Sequence, residues 1–309
     1  MLKEPVKDIW LDEKDSPYSI MKKMQDAGGF TGREMGEAVE YLRELFGGDY
    51  GRILTFPADI IATGLRGIIA QLLKMKMFDL VITTCGALDH DIARSFSSYY
   101  KGSYFEDDVK LRRRGIHRLG NVFVPLESYG PLIERKMQEL LNSEYSKEES
   151  VPTYRLSWSI GRMINNESSF LYWAYKNQIP VVVPGITDGA VGYQLWLFRQ
   201  SHRGFKVDVL EDEQLISDFV YSHKKLGALI IGGGISKHHA IWWAQFRDGL
   251  DIAVYVTTAY EYDGSLSGAL TREAISWGKI RPSGKHVTVH GDATVVLPFL
   301  IHGAIFAKE

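Results

Sequence analysis

The chain has 309 residues, of which 45% are hydrophobic and 24% are charged, with 36 lysines and arginines against 38 acidic residues. This composition is ordinary for a folded globular protein, and a net charge of −2 provides no overall field that would favour nucleic acid or an anionic membrane. Cys85 is the single cysteine, which excludes an intrachain disulfide and fits a reducing compartment.

The first fifty residues are predicted to form a helical extension packed on one domain that spans residues 1–309. Their start, "MLKEPVKDIWLDEKD", is too charged for a signal peptide, and the apolar stretches of the chain are too short to span a bilayer. We therefore expect a soluble cytoplasmic protein. Thr31 and Glu34 have the spacing of a helix capping box.

One pattern then recurs along the chain: a short apolar run, a loop containing glycine or aspartate, and a helical pattern. The apolar runs are "RILTF", "DLVITT", "IPVVV", "GALII", "DIAVYVTT" and "HVTVH". Apolar strands that alternate with helices predict a doubly wound, mostly parallel sheet with helices on both faces, which is a Rossmann-like α/β fold. Residues 127–142 and 153–177 predict further helices, residues 143–150 an exposed loop, and the basic run at 110–118 a solvated loop.

Ligands of such sheets bind beyond the carboxyl ends of the strands. Polar residues concentrate at those positions, namely Asp59, Thr84, Asp89, His90, Asp91, Asp188, Lys237, His238, His239, Asp263 and Asp292. These polar residues are more numerous than strand capping requires. The sequence therefore predicts a binding site at the carboxyl edge of the sheet.

The stretch "IIGGGISKHH" is a glycine-rich turn between a strand and a helix. Glycines there let backbone amides approach a phosphate. However, Lys237 stands at the third glycine position of the G-x-G-x-x-G motif. The stretch is therefore compatible with a nucleotide site and with a merely tight turn. His238 and His239 match no standard zinc spacing, which favours a proton-transferring or hydrogen-bonding histidine over a metal site, and we predict no metal. Cys85 fits a small buried residue better than a nucleophile.

A second unusual stretch is "REAISWGKIRP", in which Lys279 follows Trp277 and Gly278. An apolar pocket walled by the indole would disfavour the charged ammonium and release a nucleophilic amine, and Gly278 would permit close approach of another group. A lysine that packs its stem on the indole and keeps its ammonium in water fits the same residues. The stretch alone does not decide between the two.

Several segments together resemble the deoxyhypusine synthase family. They are "GGFTGREMGEAV", "TTCGALDHD", "RGIHRLGNVFVP", "IPVVVPGITDGAVG", "GDATVVLPFL" and the long stretch from "GGGISKHH" to "EAISWGKI". The likeness extends over nearly the whole chain, and the order of the "GGG…KHH" and "EAISWGK" segments is highly specific.

The resemblance implies NAD-dependent transfer of the 4-aminobutyl group of spermidine to one lysine of the translation initiation factor 5A precursor. It implies that Lys279 carries this group as an imine and that His238 is the second catalytic residue. Substrate-binding roles are implied for Asp89, His90, Gly264, Ser265, Glu273 and Trp277. NAD contacts are implied for Asp59, Thr84, Cys85, Gly86, Asp188, Gly233, Thr258, Asp263, Asp292 and Ala293. The family is tetrameric with active sites at dimer interfaces, so a homotetramer is expected.

Three positions depart from the eukaryotic pattern of that family. His90 replaces a glutamate near the cofactor, Tyr193 replaces an aspartate that holds a polyamine amine, and Leu266 replaces a further acid. We therefore expect spermidine to be used with weaker or altered amine selectivity. Two alternatives stay open: a homospermidine synthase-like enzyme that delivers the group to putrescine, and a non-catalytic NAD-binding protein on the same fold.

Overall fold

The computed structural model describes residues 4–147 and 149–307. The chain divides into two compact units, the first made of residues 1–55 and 217–309 and the second of residues 56–216. The expectation of a single domain over residues 1–309 stays a prediction.

Two helices precede the first strand, and helices and strands are then interspersed along the chain. In chain order the helices are α1 (Pro17–Ala27), α2 (Phe30–Gly47), α3 (Ala58–Ala62), α4 (Arg66–Lys74), α5 (Cys85–Phe96), α6 (Asp108–Arg113), α7 (Gly130–Glu144), α8 (Thr153–Ile164), α9 (Phe170–Asn177), α10 (Ala190–Ser201), α11 (Val209–Ser222), α12 (Gly234–Ala244), α13 (Thr271–Ser276) and α14 (Ala293–Ile305). The strands are β1 (Gly51–Phe56), β2 (Leu80–Thr83), β3 (Tyr100–Lys101), β4 (Ile116–Leu119), β5 (Val122–Pro125), β6 (Ser150–Val151), β7 (Val181–Val182), β8 (Lys206–Val207), β9 (Leu226–Ile231), β10 (Leu250–Thr257) and β11 (Ile280–His290).

The main sheet is parallel and has six strands within the described residues, which confirms the predicted α/β fold class. Within the first unit the strand order is β11-β10-β9-β1, and within the second unit β2 pairs with β7. Each predicted apolar run forms one of these strands. β2 and β9 are buried along their whole length, as expected for strands covered on both faces.

Helix α2 packs directly on the sheet of the first unit. Its buried residues include Met35, Val39 and Leu42, which recur at helical spacing and form one apolar face. A Cβ on Gly227 of β9 would lie 2.3 Å from a methyl of Leu45, so the glycine lets the helix approach the strand closely. No helix of the described residues combines the length and apolarity that a bilayer crossing needs.

The predicted capping box at Thr31 and Glu34 is wrong. Thr31 is the second residue of α2, whose N-cap is Gly29, so its hydroxyl cannot reach the orphan amides of the first turn. The capping box lies instead at the start of α1, where Ser16 and Ser19 each accept the other's backbone N–H.

Several predicted boundaries in the second unit are also corrected. The predicted helix at 153–177 is two helices, because Asn165 adopts a left-handed conformation (φ 44°) that ends α8. The basic run at 110–118 is exposed as expected, but it forms the end of α6 and most of β4 and is not a loop. Residues 143 and 144 complete α7, and residue 150 opens β6, so the exposed loop is shorter than predicted.

A buried ion pair joins α4 to α5 in the second unit. The Arg66 side chain is 5% exposed and that of Asp91 0%, and Arg66 Nε lies 2.6 Å from Asp91 Oδ1. The second carboxylate oxygen of Asp91 accepts the Ser169 hydroxyl at 2.6 Å and the backbone N–H of Leu171 at 3.1 Å, at the start of α9. Asp91, one of the polar residues after β2, is therefore a structural group that ties three helices together.

Replacing Arg66 with methionine should lower the free energy of unfolding by about 3 to 5 kcal/mol, because it leaves the Asp91 carboxylate buried without its cation. Urea denaturation followed by circular dichroism measures the change. Arg118→Met is the matched control, since Arg118 pairs with Asp108 on the surface and its loss should barely move the midpoint. Equal midpoints for the two variants would contradict the structural role of the buried pair.

Candidate active site

A cavity of about 310 Å³ lies in the first unit against α12, β10 and α13. We call it the lysine cavity. It is lined by Lys237, His238, Ile241, Trp242, Tyr255, Leu266, Ala269, Leu270, Glu273, Ala274, Trp277 and Lys279. Four residues predicted to carry the chemistry or to hold the substrate (Lys279, His238, Glu273 and Trp277) are thus brought together.

Lys279 is positioned by the way α13 ends. Gly278 has a φ of +68°, its N–H donates to the carbonyl of Ile275 at 3.0 Å, and the Lys279 N–H donates to the carbonyl of Ala274 at 2.9 Å. These two bonds form a Schellman motif, in which a left-handed glycine closes the helix. Lys279 is 8% exposed, and its Nζ lies 5.3 Å from the centroid of the Trp277 ring. Its burial favours the pocket interpretation over a lysine whose ammonium stays in water.

A Cβ built on Gly278 would meet no protein atom within 4 Å, so the packing of the chain itself does not require glycine here. The close approach of a bound group stays a prediction. The left-handed backbone of Gly278 is what requires glycine.

Lys237, predicted only as one of the polar residues at the strand ends, is a second lysine of the cavity. It is 1% exposed, its Nζ donates to the carbonyls of Leu266 and Ala269 at 2.7 Å each, and it lies 4.3 Å from the Tyr255 ring centroid. Burial lowers the pKa of Lys237 to about 8, and the negative charge of Glu273 opposes this shift. The sequence contains the signal that places this lysine inside, because it falls on the buried stripe of α12 with Ser236, Ala240, Ile241 and Ala244.

His238, the next residue of α12, lines the same cavity but is exposed. Its ring stacks on Trp242 with centroids 5.8 Å apart, and partial burial together with the positive charge of Lys279 lowers its pKa. The imidazole is therefore neutral at neutral pH and able to accept a proton. Glu273 lies in the first turn of α13 and is exposed.

The other predicted residues of the first unit follow the carboxyl ends of β9, β10 and β11. A Cβ on Gly233 would lie 2.1 Å from Ser267 Oγ, so the glycine-rich turn packs tightly on the loop after β10. In that loop Asp263 accepts the N–H of Ser265 at 2.6 Å, and Gly264 has a φ of +72°. Asp292 caps α14, directly before Ala293, and accepts the N–H of Thr294 at 2.6 Å. Thr258 follows β10 and is exposed.

The cofactor residues predicted in the second unit lie on α3, at the start of α5 and before α10. Asp59 is in the first turn of α3, Thr84 is the N-cap of α5, and Asp188 precedes α10. Thr84 Oγ1 is buried and has no hydrogen-bond partner within the described residues. A Cβ on Gly86 would lie 2.8 Å from the Cβ of Ala58, and Cys85 is fully buried, as expected for a packing residue. The NAD contacts predicted for these residues stay a prediction.

Asp89 is held inside the second unit. It is 0% exposed, its carboxylate accepts the N–H groups of Ala190 and Val191 at 2.8 Å each, and Tyr129 donates its hydroxyl at 2.9 Å. Asp89 therefore caps the first turn of α10, and burial raises its pKa. The contact of Asp89 with a substrate amine stays a prediction. The burial of its carboxylate does not favour that contact.

His90 lies beside Asp89 in an aromatic environment. Its Nδ1 is 2.8 Å from the Tyr99 hydroxyl, and its ring lies 5.4 Å from that of Tyr129. Burial, with a smaller contribution from the positive charge of Arg94, lowers the pKa of His90 to about 4. His90 is thus a neutral group where the eukaryotic pattern has an acid. Within the described residues, no three His, Cys, Asp or Glu side chains are grouped so as to hold a metal ion.

Comparison with known proteins decides the family. The deoxyhypusine synthase family model matches residues 19–304. The chain belongs to the deoxyhypusine synthase family. It is 53% identical over 301 residues to a "Probable deoxyhypusine synthase" of Picrophilus torridus and 54% identical over 301 residues to one of Thermoplasma volcanium, and each match covers 97% of both chains.

The fold is also that of a solved structure. The crystal structure of a "putative deoxyhypusine synthase" from Entamoeba histolytica is similar with a TM-score of 0.69 and covers 98% of each chain. At 18% identity this likeness concerns the fold alone. Family membership agrees with the resemblance on which the site residues were predicted, and the roles of the individual residues stay predictions.

Gly278→Ala should lower the free energy of unfolding by about 1 to 2 kcal/mol, because the left-handed conformation is less favourable by that amount for a residue with a Cβ. Gly67→Ala is the control, since Gly67 lies in α4 with nothing within 4 Å of the added Cβ, and it should be neutral or slightly stabilising. Urea unfolding measures both. An unchanged midpoint in Gly278→Ala would show that the turn does not need glycine.

Acid should destabilise the protein partly through His90. The pKa of His90 is about 4 when folded and near 6.5 when unfolded, so the unfolded state binds the proton more tightly. Stability is then lost as pH falls through 6.5 toward 4, by up to about 3 kcal/mol from this group. His90→Gln should remove that part of the pH dependence, which parallel urea titrations at pH 4.5 and 7 would measure. The same pH dependence in parent and variant would exclude His90 as its source.

Proposed function

We propose that this protein catalyses NAD-dependent transfer of the 4-aminobutyl group of spermidine, through an imine on Lys279, to a lysine of the translation initiation factor 5A precursor. The observation that carries the proposal is the burial of Lys279 in one cavity with Trp277, His238 and Glu273. Membership of the deoxyhypusine synthase family supports the reaction type.

The chemistry of the chain centres on the Lys279 amine. In its neutral form this amine attacks the carbon of the oxidised donor, and 1,3-diaminopropane leaves as the aminobutyl imine forms on Nζ. The amine of the acceptor lysine then attacks the same imine carbon, and the Lys279 amine leaves as the new imine forms on the acceptor. The Trp277 ring, 5.3 Å from Nζ, flanks the aliphatic chain, and the neutral imidazole of His238 accepts the proton that the donor nitrogen loses.

NAD would take up the hydride of the donor and return it to the final imine. Two features of the chain fit such a dinucleotide. In the first unit, Gly234 opens α12 with a φ of +65° and nothing within 4 Å of an added Cβ, so backbone amides at this helix N-terminus are accessible to a phosphate. In the second unit, the Thr84 hydroxyl is separately buried without a partner among the described residues. The residues proposed to hold NAD are those at the strand ends, above all Gly233, Thr258, Asp263 and Asp292 in the first unit. A homotetramer and a cytoplasmic location belong to the same proposal.

Borohydride added during turnover with NAD and labelled spermidine should trap an aminobutyl adduct on Lys279. Lys279→Arg should keep NAD affinity and lose the adduct, because a guanidinium is not neutralised in proteins and cannot form the imine. Peptide mapping by mass spectrometry locates the label. Lys285→Arg serves as control, since Lys285 pairs with Glu44 at the surface. An adduct on Lys237 would overturn the assignment of the nucleophile.

The acceptor is tested by the same incubation in two arms, one with initiation factor 5A precursor and one with putrescine. Label on the factor supports the proposed function, whereas labelled homospermidine would establish the homospermidine synthase-like alternative. NAD binding without labelled product in either arm would establish a non-catalytic protein.

A further inference from the structure

A cavity of about 510 Å³ lies in the second unit, between the end of α7, one face of α8 and the end of α9. We call it the α8 cavity. Its volume falls within the range of small-molecule binding sites. No residue predicted to serve the reaction, the polyamine or NAD lines this cavity, so the proposed function leaves it unexplained.

One face of α8 provides most of the cavity wall. The residues of this face recur at helical spacing and are Tyr154, Arg155, Trp158, Ser159 and Arg162. The buried residues of α8, among them Leu156 and Ile160, lie on the opposite side of the helix. The outer face of α8 therefore carries aromatic rings together with cations, whereas a solvated helix face ordinarily carries polar and charged side chains.

The aromatic part of this face is held in place by the chain. The rings of Tyr154 and Trp158 pack edge to face, with centroids 5.1 Å apart and planes inclined by 81°. Nε1 of Trp158 donates to the carbonyl of Ile179 at 2.8 Å, and both rings are half-buried. A planar ligand ring can stack on the uncovered part of the indole, because a side chain that is already fixed loses little further freedom on binding.

The cavity also carries a positive charge that the chain does not neutralise. Arg162 is paired, since its Nη2 lies 2.6 Å from Oε2 of Glu144, the one acid among the described lining residues. Arg155 is exposed and forms no hydrogen bond or ion pair within the described residues. Burial raises the pKa of Tyr145 and of Tyr154, and the charge of Arg155 opposes that rise, so its guanidinium acts on the cavity wall. A guanidinium without a protein acceptor is suited to a phosphate.

We propose that the α8 cavity binds a nucleoside monophosphate, with the base stacked on Trp158 and the phosphate paired with Arg155. The cavity offers one planar surface and one unpaired cation, which match the base and the phosphate of a single ligand. The two side chains stand three residues apart on α8, where Cβ atoms are about 5 to 6 Å apart, so one nucleotide can contact both. Gln178 donates its side-chain N–H to the carbonyl of Tyr175 at 2.6 Å, which leaves its side-chain oxygen to accept from a ribose hydroxyl.

Calorimetric titration of the full chain with AMP, in the presence of saturating NAD, tests the inference without measuring turnover. The parent protein should bind AMP with a Kd below about 1 mM. Inorganic phosphate and adenosine should each bind at least roughly tenfold more weakly, because each makes only part of the contacts. Arg155→Gln should weaken AMP binding by roughly tenfold or more, because a charge-assisted hydrogen bond is lost. Trp158→Leu should weaken it by a similar factor through lost stacking, and Arg155→Gln decides the matter if that variant does not fold.

Arg112→Gln is the matched control. Arg112 lies on α6, is exposed, does not line the α8 cavity and undergoes the same change of charge. Its AMP affinity should equal that of the parent protein. Unchanged AMP affinity in Arg155→Gln, no AMP binding by the parent, or equal affinities for AMP and inorganic phosphate would each overturn the inference.

AMP binding that appears only without NAD would also overturn the inference, because AMP would then occupy the cofactor site. The comparison of Arg155→Gln with Arg112→Gln holds whether or not the protein binds NAD. The inference is therefore independent of the proposed function, and the two can fail separately.

Discussion

The architecture of the lysine cavity depends on the need to satisfy one buried cation. Lys237 projects from the inner stripe of α12 with 1% exposure, and an ammonium there is tolerable only if it is hydrogen bonded. The carbonyls of Leu266 and Ala269 provide those acceptors, so the loop after β10 must fold back over α12. The close approach of Ser267 to Gly233 and the bond from the Thr257 hydroxyl to the Ser267 carbonyl hold that loop in place. The loop then forms one wall of the cavity that Lys279 also lines.

The sheet was predictable because its strands are short, uniformly apolar and each followed by a loop and a helix. That pattern depends only on burial on both faces, which β2 and β9 show along their whole length. Helix ends were less predictable, since they depend on the conformation of single residues. Asn165 ends α8 by adopting a left-handed φ, and Thr31 has capping spacing but stands two residues after the N-cap position, Gly29. Neither outcome follows from hydrophobic periodicity.

The candidate site was predictable where a residue stands in a motif of the family. It was not predictable where the role of a residue depends on partners that are distant in the chain. Lys279, His238 and Glu273 were found from the resemblance, and they do line one cavity. Asp89 and Asp91 have similar sequence settings, yet both are buried and serve as structural acceptors for backbone amides and, for Asp91, an arginine. The partners of Asp91 lie 25 and 78 residues away in the chain, so no local pattern could reveal them.

The balance of charge in the lysine cavity bears on how an amine reacts there. Among the described residues that line the cavity, Glu273 is the one carboxylate beside the two lysines, and their positive charges disfavour the protonated form of a substrate amine brought beside them. In the proposed reaction both the donor nitrogen and the attacking amine react only when neutral. A carboxylate at Leu266 would pair with an ammonium and keep it charged. An apolar side chain there weakens the binding of the charged polyamine in the ground state. It does not weaken the binding of the transition state, because the reacting amine is neutral there. Because only differential binding changes the rate, the loss of an acid at this position is compatible with retained catalysis.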